Sequence, residues 1–127
     1  MEHTVNLRPL GKTSIMLTPI GLGCWQFSKR KNLAGKFWPH LEDDVIDRVV
    51  AGSLNGGINW FDTAEVYGKG ASEKALSAAL QKAGKNNGDV QIATKWWPMF
   101  RLASNITRTI DERIRMLDPF AVDLYQV

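Results

Sequence analysis

Cysteine is nearly absent: Cys24 stands alone in 127 residues, which excludes an internal disulfide framework. Histidine is almost as scarce. His3 and His40 lie in unrelated surroundings without carboxylates at ligand spacing, so both read as surface residues and no metal site is expected. No apolar run approaches the ~20 residues that cross a bilayer. Arg8, Pro9, Gly11 and Lys12 break up the opening segment, so it holds no signal-peptide core. Charge of one sign is also in short supply. Lys+Arg 16 against Asp+Glu 13 leaves +3, spread along the chain, too thin for a nucleic-acid surface. These absences lead us to expect a soluble, reduced, cytoplasmic protein with neither a nucleic-acid nor a membrane partner.

What is present is ordinary globular sequence, 44% hydrophobic and 23% charged, long enough for one domain and hardly two. We read residues 1–127 as a single domain. Residues 1–19 form a hairpin, Thr4–Leu10 and Ile15–Thr18 around a Gly-Lys-Thr-Ser turn, with Pro9 and Pro19 confining it to edges. Residues 20–127 then alternate. Ile20–Trp25 is a short buried strand followed by a long loop. Leu41, Val45, Ile46, Val49, Val50 and Leu54 share one helical face, opened by Asp43 and Asp44 and closed by Gly56-Gly57. Ile58–Phe61 is a strand and Asp62–Gly70 a loop. Ser72 caps a helix that turns Leu76, Ala79, Leu80 and Ala83 inward and ends at Gly84. Val90–Ala93 is a strand, and Lys95–Leu102 a loop. Ser104 caps a helix whose apolar face is Ile106, Ile110, Ile114 and Leu117, halted by Pro119, and Ala121–Val127 is a strand.

The order β-α-β-α-β-α-β is the parallel α/β pattern, each helix a right-handed crossover. A flavodoxin-like open sheet and the first half of a (β/α)8 barrel both satisfy it; a complete barrel needs roughly 250 residues. Either way, active sites gather at the carboxyl ends of strands. Trp25, Asp62, Tyr67 and Lys95 all fall there. A tyrosine hydroxyl is a poor acid at neutral pH, and an adjacent ammonium eases the loss of its proton. Tyr67 could therefore protonate a carbonyl oxygen as a hydride reaches the carbon, with Asp62 holding Lys95 charged and oriented.

Competing motifs are weaker. Gly21-Leu-Gly23 lacks the third glycine of a dinucleotide fingerprint, because Gln26 occupies that position and no helix opens there. Gly68-Lys-Gly-Ala-Ser72 lacks Walker spacing and reads as a lead into a helix. Trp96-Trp97 beside Arg101 reads as a pocket wall rather than a base-stacking platform. Trp25, Trp96, Trp97 and Phe100 suggest an aromatic-lined, apolar pocket. Cys24 reads as a small buried hydrophobe.

Phe61-Asp-Thr-Ala-Glu-Val-Tyr-Gly68, preceded by Gly-Ile-Asn-Trp, resembles the Asp-x-Ala-x-x-x-Tyr-Gly signature of the aldo-keto reductases. Leu10-Gly-Lys-Thr13 with Pro19–Gln26, Ser72-Glu73 with Leu76, Ala79 and Leu80, Ala93–Trp96, and Asp123–Val127 resemble further family segments in order and spacing. The resemblance implies an N-terminal hairpin plus the first half of a (β/α)8 TIM barrel. It implies NADP-dependent reduction of small aldehydes and ketones to alcohols. Tyr67 matches the proton donor, Lys95 its partner and Asp62 the brace of that lysine. Trp25 and Trp97 match aromatics beside nicotinamide and substrate, and Gly23, Cys24, Trp25 and Asp62 match cofactor-binding positions. The family's catalytic histidine follows the Leu-Tyr-Gln-Val strand directly, beyond Val127, as do the loops that bind most of the cofactor. The isolated chain is therefore expected to be an inactive fragment, associating with itself or with a C-terminal half through exposed strand edges. The alternative is a non-catalytic interaction or regulatory module on the same half-fold.

Overall fold

A computed structural model describes residues 5–29 and 39–127; His3, Thr4 and the middle of the long loop lie outside the described residues. The elements are β1 (Arg8–Pro9), β2 (Met16–Leu17), β3 (Leu22–Gly23), a 3-10 turn (Trp25–Ser28), α1 (Asp43–Asn55), β4 (Trp60–Asp62), α2 (Ala71–Lys82), β5 (Gln91–Lys95), α3 (Ser104–Leu117) and β6 (Leu124–Gln126).

β1 and β2 pair antiparallel, Arg8 opposite Leu17. The other four strands form a parallel sheet in the order β3-β4-β5-β6. Neighbours in space are thus neighbours in sequence. A doubly wound sheet reverses direction partway, whereas a barrel is wound one way, so this order selects the half-barrel. α1 packs on α2 and α2 on α3, forming one helical layer. Between layer and sheet lies the core: Phe61 and Ile92 from the strands meet Ile46, Val50, Leu76, Leu80 and Leu117 from the helices. Because strand side chains alternate, Asp62, Ala93, Lys95 and Gln126 face the other side, the inside of the barrel curve.

The hairpin closes the amino end of that curve. Leu10, Ile15 and Leu17 meet Trp60, Ala93 and Leu124 there. Asn59 fastens it, accepting from Thr18 N–H at 2.9 Å and donating to the Met16 carbonyl at 2.8 Å. The Trp60 indole donates to the Thr18 carbonyl at 3.0 Å and lies flat against Gly21, where a Cβ would stand 2.3 Å from the ring. Only glycine fits there.

Several local expectations need correction. β3 is shorter and more open than a buried strand, since it is an edge and Ile20 is 71% exposed. Trp25 opens the 3-10 turn. Asp62 and Lys95 are the last residues of β4 and β5 rather than loop residues. Gly70, left-handed at φ 89, precedes α2 in place of Ser72, whose hydroxyl instead donates to the Cys24 carbonyl at 2.6 Å and lies 2.9 Å from the Thr63 hydroxyl. Ala83 falls past the end of α2 and is exposed. Ser104 is the first helical residue of α3 and makes no cap. Val49 and Ile114, expected inward, are 37% and 49% exposed. In α3 the inward face runs Ile106, Ile110, Arg113, Leu117, so an arginine holds the place that was assigned to Ile114.

Candidate active site

Three strand ends and the loop after β4 converge on one point. Lys95 Nζ donates to Asp62 Oδ2 at 2.6 Å and to the Thr63 carbonyl at 3.0 Å. The other carboxylate oxygen, Oδ1, accepts from Gln126 Nε2 at 2.9 Å. Asp62 is therefore held from both sides, and two of the three ammonium protons are assigned. The remaining one is available toward Tyr67, whose ring centroid lies 5.1 Å from Nζ, within range of a cation–π contact. Trp25 stacks on Tyr67, 5.9 Å between centroids and 19° between planes.

Tyr67 depends on its glycine neighbour. Gly68 sits at φ +72, and a Cβ there would meet the Ser28 carbonyl oxygen at 2.0 Å. The chain must press against the 3-10 turn at this point to lay Tyr67 on Trp25. A cavity of about 260 Å³ opens beside the cluster, walled by Ala64, Val66, Tyr67, Lys95, Trp97 and Gln126. A larger hollow between α1 and α2 lies on the outer side, away from this cluster, and its Lys82 is paired with Asp47 at 2.5 Å.

Beneath the loop runs a buried ion network that the sequence did not announce. Glu65 Oε2 accepts from Arg113 Nη1 at 2.9 Å, and its Oε1 accepts from the Trp97 N–H at 2.7 Å and from the Arg101 guanidinium. Arg113 Nε lies 3.0 Å from Glu73 Oε2 but is out of line for a hydrogen bond. Glu73 Oε1 accepts from the Thr94 hydroxyl at 2.6 Å. Burial pushes the Glu73 carboxyl above its ordinary range, against the pull of Thr94 and Arg113.

The expected residues divide as follows. Asp62, Tyr67, Lys95 and Trp25 come together, and Trp97 lines the cavity, 46% exposed. Gly23, paired with Asp62 in the sheet, is open, with nothing within 4 Å of where a Cβ would stand. Cys24 is wholly buried, so it presents no surface to a cofactor; the reading as a small core residue is the one that holds. Phe100 is fully exposed at φ 59 and forms no pocket wall. His40 is exposed. Gln126, Glu65, Arg101 and Arg113 were missed. Arg113 alone left a mark in the sequence, because it sits at i+7 from Ile106 on the face that packs inward.

A one-way parallel sheet with an Asp–Lys–Tyr cluster at its carboxyl ends is part of a (β/α)8 barrel with charged and phenolic groups at the end where such barrels place their sites. Comparison with known proteins gives the family: residues 19–127 match the model of the Aldo/keto reductase family, and the chain belongs to it. Aldo-keto reductase YhdN of Bacillus subtilis is 30% identical over 135 aligned positions, spanning 100% of this chain and 38% of that protein. An uncharacterized oxidoreductase of Mycobacterium bovis is 33% identical over 109 positions, 85% of this chain and 32% of its own length. Among solved structures, an aldo-keto reductase from Bacillus halodurans superposes with a TM-score of 0.75 at 23% identity, covering 96% of this chain and 39% of the other. The chain thus spans less than two-fifths of these relatives. Among the described residues no helix is long and apolar enough to cross a membrane.

Proposed function

We propose that this chain carries the proton-transfer half of an NADP-dependent cytoplasmic reductase that converts small aldehydes and ketones to alcohols. The observation that carries this reading is the Asp62–Lys95–Tyr67 cluster, with Lys95 bonded to Asp62 at 2.6 Å and placed over the Tyr67 ring. Two solved neighbours from Klebsiella pneumoniae hold NADPH, or NADP with acetate. The residues present fit the reacting end of such a cofactor: Gly23 leaves open ground beside Asp62, and the exposed face of Trp25 offers a flat wall. Lys95 and Arg101 are already paired with Asp62 and Glu65, so neither is free to meet its phosphates.

Gly23 and Trp25 would hold the reacting end of the cofactor beside the carbonyl, and the chemistry it would supply there is hydride donation. Tyr67 donates its hydroxyl proton to the carbonyl oxygen, and solvent restores it. Lys95 stabilises the charge left on the tyrosine, while Asp62, fixed by Gln126, holds Lys95 in place. Trp97, Val66 and Ala64 line the cavity beside Tyr67. Partners follow from the sheet: β3 and β6 are its edges, so the chain pairs with itself or with a complementary half-barrel.

The test is carbonyl-dependent NADPH consumption by the chain, alone and mixed with the C-terminal half of the Bacillus subtilis relative. Turnover is expected only in the mixture, and Tyr67→Phe lowers its kcat by about 100-fold or more, the scale of general acid catalysis. Unchanged turnover in Tyr67→Phe would sink the reading.

A further inference from the structure

We infer that Glu65 is a positioning residue that fixes the gap between Tyr67 and Trp97, the facing walls of the cavity. The inference takes its meaning from the reductase reading, but its geometry stands independently. Glu65 lies two residues before Tyr67, and its own N–H donates to the Lys95 carbonyl at 3.3 Å while its carbonyl accepts from Gly70 at 3.0 Å. Its backbone thus belongs to the Tyr67 loop and to the end of β5.

The side chain reaches further. Oε1 takes the Trp97 N–H at 2.7 Å and the Arg101 guanidinium, both from the segment that follows β5. Oε2 takes Arg113 of α3 at 2.9 Å. One carboxylate therefore joins the loop carrying Tyr67 to the loop carrying Trp97 and anchors both on a helix. Glu65 is 6% exposed and Arg113 2%, so these charge-assisted bonds form away from water, where they are strong and directional.

A carboxylate kept only to hold helices together would need nothing beyond Arg113, which already lies against Glu73 of α2 at 3.0 Å. The Oε1 contacts serve no helix packing. Both go to the loop that walls the cavity, and a backbone N–H is one of the two. Freed from Glu65, the Trp97 N–H loses its acceptor, and the side-chain tie left between its segment and α3 is the Trp96 indole on Asn105 Oδ1 at 3.1 Å, which does not involve the Tyr67 loop.

Amide hydrogen exchange on the full chain, without cofactor or substrate, tests this directly. In Glu65→Leu the Trp97 amide is expected to exchange about tenfold faster or more, while core amides such as Ile92 and Leu80 stay within about threefold of the native chain. Glu65→Gln keeps an oxygen acceptor and is expected to return Trp97 to within about threefold of native. If Glu65→Leu fails to fold, the triple variant Glu65→Leu/Glu73→Gln/Arg113→Met removes all three buried ionic groups together, a change that buried ion networks tolerate, and gives the same readout. An unchanged Trp97 amide overturns the inference, as does a parallel rise at Trp97, Ile92 and Leu80. Because no turnover is measured, failure of the reductase reading leaves this result untouched.

Discussion

Cys24 and Asp62 are joined by a backbone hydrogen bond of 2.8 Å, yet one faces the core and the other the cavity. Burial pushes the Cys24 thiol far up, and the nearby Asp62 carboxylate pushes it further. The thiolate is the reactive species, so this thiol is inert in the folded chain. With no second cysteine to confuse the signal, labelling by a thiol reagent at mildly alkaline pH is expected to run at least about 100-fold slower than in denaturant, at the pace of opening. Rapid native labelling would mean that β3 does not end as described. The same residue shows what one sequence can tell. Asp62, Tyr67 and Lys95 were legible as a cluster because that depends on residue type and on lying at or just past the carboxyl end of a strand. Whether Cys24 faced a cofactor or the core depended on where β3 stopped, a matter of a single residue at a sheet edge.

At the scale of elements, hydrophobic spacing located all three helices, but not the way they start or the polar residue one of them buries. Ser72 and Ser104 are good cap residues by type; Ser72 is instead drawn into the contact between α2, Cys24 and Thr63, and Ala103 precedes α3 without a side-chain cap. Arg113 occupies the inward face of α3 because Glu65 and Glu73 wait there. Glu73 then gives α2 a pH dependence. Its carboxyl, raised by burial above the ordinary 4.5, holds a proton in the folded chain at pH values where the unfolded chain has released it. Its contribution to stability is therefore full below pH 4.5 and is lost as pH rises through the higher folded value. Urea unfolding of the native chain and of Glu73→Gln, compared from about pH 4 to about pH 8, should show the native chain losing ground to the variant as pH rises. A difference that stays flat, or that grows the other way, would show that Arg113 keeps Glu73 ionised in both states.

For the whole molecule, alternation of strands and helices was readable, but two sheets of different winding shared that pattern. The neighbour order β3-β4-β5-β6 separates them, and it does so through contacts distant in sequence that no local spacing encodes. Winding in one direction has a consequence. Parallel sheets are normally buried on both faces, and a (β/α)8 barrel also closes both edges with its eight strands. Here four parallel strands leave β3 and β6 each paired on one side, with Ile20 71% and Val127 79% exposed beside them. Such edges recruit another strand. Sedimentation of the 127-residue chain over a range of micromolar concentrations is expected to show species larger than a monomer, growing with concentration. Ile20 touches little of its own fold, so Ile20→Lys is expected to leave thermal unfolding of the monomer nearly unchanged while shifting the population toward it, since an edge lysine resists pairing. A native chain that sediments as a strict monomer throughout would mean that its edges are already protected, and the half-barrel would then stand as a complete folding unit rather than as one side of a larger barrel.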